Sequence, residues 1–158
     1  MRVALCALWL GLAAGPAWAL DYTSPDAAAG ADYSKASQLV AAEKYDEAMP
    51  ILQGILKKFP NHADALNLMG YSHRKKGDYT QAFAFYEKSL ENNPLHRGAN
   101  EYIGQAYLEQ GDLANAERHL KILEKACRIP CVELDKLKTS IDAFKNKGLN
   151  TTSPTTSG

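Results

Sequence analysis

Residues 65–94 read ALNLMGYSHRKKGDYTQAFAFYEKSLENNP, and this stretch decides the architecture. Leu66, Met69 and Gly70 share one side of a helix-period pattern, and Ala82 and Tyr86 do the same after the break at Gly77-Asp78. That break pairs a residue tolerant of left-handed backbone with a carboxylate able to cap the next helix. The expectation is a helix, a tight turn and a second helix.

Working outward, Pro60 laid over Pro94 sets an offset of 34, and the columns agree along residues 29–62, 63–96 and 97–130. Small residues recur as Ala36, Gly70, Gly104 and as Ala48, Ala82, Ala116. Bulky ones recur as Leu39, His73, Tyr107; as Tyr45, Tyr79, Leu113; and as Leu52, Tyr86, Leu120. Small residues at facing positions let two helix backbones approach, and bulky ones fill the space between neighbouring hairpins. Gly111-Asp112 repeats the turn of Gly77-Asp78, while Lys44-Tyr45-Asp46 supplies it less tidily. Pro50 falls early in a helix, where a mild bend and no break is expected.

These residues resemble the tetratricopeptide repeat family. Leu66, Met69, Gly70, Gly77, Asp78, Tyr79, Ala82, Tyr86 and Pro94 all stand where that pattern wants them; Lys35, His73 and Arg128 depart from it. The resemblance implies an all-α, right-handed solenoid of three helix-turn-helix repeats plus a C-terminal capping helix. It also implies a concave groove lined by the first helix of each repeat. The matching columns are Tyr33, Ser37 and Val40; Asp64, Asn67, Tyr71, Arg74 and Lys75; Glu101, Gln105, Leu108 and Glu109. Arg74 and Lys75 are expected to face Glu101 and Glu109 across the groove; Arg74-Lys75-Lys76 can equally be read as a solvated helix end. Chaperone adaptors of the family hold a terminal carboxylate with Lys and Arg where this chain has Tyr33, Ser37, Glu101 and Gln105, with only Asn67 matching. Glu101 would repel such a ligand.

Beyond the repeats, residues 131–146 carry Leu134, Leu137, Ile141 and Phe144 on one stripe and Glu133, Lys138, Asp142 and Lys145 on the other side, as a terminal cap needs. Residues 147–158 are expected to be disordered and residues 20–28 flexible. Residues 1–19 read as a signal peptide: Arg2, an apolar run from Val3 to Leu12, then Ala17-Trp18-Ala19. The run is short for a membrane span, so no stable insertion is expected after cleavage, and the periplasm of a Gram-negative bacterium is the expected compartment. Cleavage would remove both tryptophans and leave Cys127 and Cys131.

The 158 residues are 46% apolar and 23% charged, with 18 basic and 18 acidic side chains, so one folding unit is expected and no basic field attracts nucleic acid. Cys127 and Cys131 are spaced for a structural disulfide that sets the cap angle; a thiol-disulfide oxidoreductase is the catalytic alternative. No metal spacing is present, His73 is expected to pack within its repeat, and His62, His96 and His119 are expected to be exposed. Nothing indicates a cofactor or an enzyme. The function expected is a non-catalytic periplasmic scaffold or assembly module that binds an extended segment of a protein or peptide partner. The alternative is a self-associating, homo-oligomeric structural protein.

Overall fold

A computed structural model describes residues 25–128 and 130–150. They form seven α-helices and no strand: α1 (Pro25–Ala41), α2 (Tyr45–Lys58), α3 (Ala63–Lys75), α4 (Tyr79–Asn92), α5 (Arg97–Glu109), α6 (Leu113–Ala126) and α7 (Val132–Asn150). Helices α1/α2, α3/α4 and α5/α6 pack as hairpins, each hairpin packs on the next, and α7 closes against α5 and α6. The result is an all-α solenoid.

The small-residue columns explain the close approach. Ala36, Ala48, Ala82 and Ala116 are wholly buried. At Gly70 an added Cβ would lie 2.6 Å from a ring carbon of Tyr86, so this glycine exists to admit the tyrosine. Gly104 meets Leu137 of α7 instead, at 2.7 Å. Around these contacts the apolar side chains gather in successive clusters: Leu52, Ile55 and Met69 between the first hairpin and α3, Tyr86 and Ile103 between the second and third, and Leu123, Leu137 and Ile141 under the cap. Each such aliphatic side chain, fully buried, contributes roughly 1.5–3 kcal/mol.

The turns repeat with the same period. Lys44 N–H bonds to Leu39 O at 2.8 Å, Asp78 N–H to His73 O at 2.9 Å and Asp112 N–H to Tyr107 O at 2.8 Å, closing three helix ends in one pattern. Gly77 and Gly111 supply the left-handed residue at φ 83° and 80°, whereas Glu43 adopts φ 59° with a full side chain. Asp78 and Asp112 cap α4 and α6 through their side chains; Lys44 makes no side-chain cap on α2. Pro50 lies within a continuous α2 on its exposed side.

Two boundaries differ from the sequence expectation. Residues 25–28, expected to be flexible, belong to α1: proline is tolerated in a first turn, and Ala27-Ala28-Ala29 is the strongest local helix former available. The cap, expected over 131–146, runs to Asn150, so residues 147–150 are helical and not part of a disordered tail. Lys147 complements the helix dipole there, and a glycine at position 148 is tolerated so close to the end. The expected signal peptide, residues 20–24 and residues 151–158 lie outside the described residues. No described helix is long and apolar enough to cross a membrane.

Candidate functional site

The repeat offset brings the groove columns side by side on α1, α3 and α5: Tyr33 beside Asn67 beside Glu101, Ser37 beside Tyr71 beside Gln105, Val40 beside Arg74 beside Leu108. Ser37, Tyr71, Gln105 and Leu108 are partly exposed, and Lys75 is exposed at the end of α3. Four of the expected groove residues are not free surface. Val40 is 7% exposed, Asn67 6%, Arg74 6% and Glu101 3%, so they form the floor of the face.

Arg74 shows why. Its guanidinium carbon sits 5.3 Å from the Tyr71 ring centroid and 5.8 Å from that of Tyr102. One terminal nitrogen, Nη1, donates to Glu109 Oε1 at 2.9 Å and to Gln105 Oε1 at 3.2 Å, and Tyr79 Oη donates to Glu109 Oε2 at 3.2 Å. Arg74 therefore faces Glu109 and not Glu101, and it is a structural brace between α3 and α5 and not a solvated helix end. Lys76, at the end of the same basic run, pairs with Asp46 of α2. Tyr102 is the residue that column-by-column reading missed: it is a diagonal neighbour of Tyr71, with ring centroids 4.7 Å apart, and a two-dimensional plot of the 34-residue lattice reveals it.

Burial sets the ionisation of this face. The phenols of Tyr33 and Tyr102 are pushed up to about 12, first by burial and then by the carboxylates of Asp64 and Glu101 respectively. Glu101 is raised above the ordinary carboxylate range by burial, an effect that Lys136 of α7 partly offsets. One Glu101 oxygen accepts from Gln105 Nε2 at 2.8 Å. The side-chain oxygen of Asn67 is buried without a partner, an arrangement that typically costs about 1–3 kcal/mol.

The histidines are structural in ways the sequence reading did not anticipate. His62 and His96 cap α3 and α5, accepting from Ala65 N–H at 3.3 Å and Ala99 N–H at 3.1 Å through Nδ1. With Nδ1 occupied as an acceptor, neutral His96 carries its proton on Nε2 and donates to Asp64 Oδ1 at 2.9 Å, which lowers the Asp64 pKa. His62 and His96 are half-buried, and His119, expected to be exposed, is only 4% so. It stacks on Tyr107 and bonds to Asn100 Oδ1 at 2.9 Å, because the column it occupies turns toward α5. His73 does pack within its repeat, stacked on Phe85 and bonded to Asp78.

Between α5 and α7 lies a cleft of about 490 Å³ with Leu108, Ala143 and Phe144 in its walls and Glu109 and Lys147 at its edge. A smaller one of about 340 Å³ is lined by Asp64, His96, Arg97, Gly98 and Glu133. Cys127 and Cys131 face each other where α6 gives way to α7, with their Cα atoms 5.7 Å apart. Among the described residues no group of His, Cys, Asp and Glu side chains is arranged to hold a metal ion.

The tetratricopeptide repeat family model matches residues 33–94 and 86–127. DnaJ protein P58IPK homolog B of Oryza sativa subsp. japonica is 29% identical over 84 residues, which is 53% of this chain and 18% of that protein. Tetratricopeptide repeat protein 14 of Mus musculus is 32% identical over 83 residues, 52% of this chain and 10% of that protein. The chain thus spans less than a fifth of either relative's length. Among solved structures, the Yersinia enterocolitica type III secretion translocator chaperone SycD superposes with a TM-score of 0.69 at 19% identity, covering 80% of this chain and 88% of that one. The same chaperone in complex with a peptide of the translocator YopD gives a TM-score of 0.64 at 19% identity over 75% of this chain and 93% of that one. At this level of identity the likeness is one of fold.

Proposed function

We propose, from the premise that this chain belongs to the tetratricopeptide repeat family, that it is a non-catalytic protein-interaction module which binds an extended segment of a partner along its concave face. The observation that carries this reading is the row of half-exposed Ser37, Tyr71, Gln105 and Leu108 on adjacent helices, backed by a floor braced through Arg74. Tyrosines held at fixed spacing offer broad contact area at low entropy cost, and amides beside them can pair with a peptide backbone. SycD, a fold neighbour, is solved in complex with a peptide of the translocator YopD, which supports a peptide as the kind of partner. The leader-like residues 1–19 support export to the periplasm and a scaffolding or assembly role there. In that compartment Cys127 and Cys131 would persist as a disulfide that fixes α7 on α6.

Photo-crosslinking in the native cells tests the assignment. A benzophenone amino acid at Ser37 or Leu108, on the concave face, is expected to give a discrete protein adduct, and one at the exposed outer positions Lys88 or Lys121 is not. Adducts only from the outer positions would overturn it.

A further inference from the structure

Resting on the concave face being the working surface, we propose that its occupant is a basic extended segment, one of whose Lys or Arg side chains seats on the column Tyr33–Asn67–Glu101. That group would donate N–H bonds to the Asn67 and Glu101 oxygens and lay its charge against the tyrosine faces.

The column's own chemistry argues for a cation with several N–H donors. Asn67, 6% exposed, has its side-chain oxygen buried with no donor, and Glu101, 3% exposed, has one oxygen bonded to Gln105 and forms no ion pair among the described residues. Two acceptors on adjacent helices thus stand under-donated, in the same column as Tyr33, whose ring stacks on His62. Burial makes each costly to leave so, and a charged donor satisfies both at once. Next to the column, a cleft lined by Asp64, Arg97, Gly98 and Glu133 carries two acidic side chains against the exposed Arg97, and a Cβ at Gly98 would come within 3.0 Å of Asn67 Nδ2.

The molecule already contains the filled version of this seat. Arg74 lies across Tyr71 and Tyr102 and bonds to the Glu109 carboxylate and the Gln105 amide oxygen. The neighbouring column offers a ring, an amide oxygen and a carboxylate, without an arginine of its own. An acidic segment would meet Glu101 with like charge, and an apolar one would leave both oxygens without donors.

The test titrates the full chain with blocked peptides of Gly, Ser and Thr carrying Lys and Arg, with matched peptides carrying Asp and Glu, and with uncharged ones, read by calorimetry and by backbone amide shifts. The basic peptide is expected to bind preferentially, to move the amides of Tyr71 and Tyr102, and to weaken roughly tenfold or more in Glu101→Gln. Lys136→Gln, an exposed change that removes the competing cation near Glu101, is expected to tighten it. The proposal is overturned if uncharged or acidic peptides bind as tightly, if Glu101→Gln in a helical protein changes nothing, if the shifts map to α2, α4 and α6, or if a second copy of the chain occupies Tyr71 and Tyr102 in sedimentation-matched samples. In all four cases groove crosslinks from Ser37 and Leu108 would leave the broader reading standing; their absence would remove that reading separately.

Discussion

At the residue scale, two glycines inside helices carry opposite expectations. Gly70 is filled by the Tyr86 ring, and Gly54 has nothing within 4 Å of its missing Cβ. Gly54→Ala is expected to stabilise the protein by about 0.5–1 kcal/mol through helix propensity alone. Gly70→Ala is expected to destabilise by about 1–2 kcal/mol, overpacking outweighing the same propensity gain. Urea midpoints of the two variants read both signs directly. His119 offers a pH test: burial lowers its pKa from 6.5 to about 4, so the folded state refuses a proton that the unfolded chain accepts. Stability should therefore fall as pH drops from about 6.5 toward 4, by up to roughly 3 kcal/mol, and this part of the slope should flatten below 4. His119→Asn, whose amide nitrogen can replace Nδ1 toward Asn100, should lose that part of the slope in urea titrations at stepped pH.

At the element scale, the first hairpin is the weakest turn. Glu43 sits in the left-handed region at φ 59° where the other turns have glycine, and Lys44 leaves α2 without the side-chain cap that aspartate gives α4 and α6. Glu43→Gly with Lys44→Asp should restore both features and stabilise by about 1–2 kcal/mol, seen as a raised thermal midpoint. The exposed Lys44–Glu47 ion pair lost in the change is worth little. These turns, the helices and the small-residue columns were legible in the sequence because they depend on local chemistry and a fixed period. The face assignment of Tyr71 and Gln105 was legible for the same reason. The depth of Asn67, Arg74 and Glu101 was not: Arg74 lies against the Tyr102 ring and Glu101 feels Lys136 of α7, contacts that no single column records. The histidine roles escaped too, since a ring nitrogen acting as an N-cap leaves no distinctive pattern of neighbours in the chain.

At the scale of the whole molecule, each hairpin is stabilised by the next, so damage should stay local. Leu137→Ala opens a cavity under α7 and is expected to cost about 2–5 kcal/mol there. Hydrogen exchange should accelerate in α5, α6 and α7 while α1 and α2 keep their protection; uniform acceleration throughout would mean a single cooperative unit instead. The different roofs over Gly70 and Gly104 carry a consequence for how such a chain can lengthen. A tandem duplication of residues 63–96 brings, with each new glycine, the tyrosine that covers it, so growth in the interior is self-sufficient. Growth past α6 is not, because Gly104 borrows its cover from Leu137, and any hairpin inserted ahead of α7 must first evolve a replacement for that one leucine.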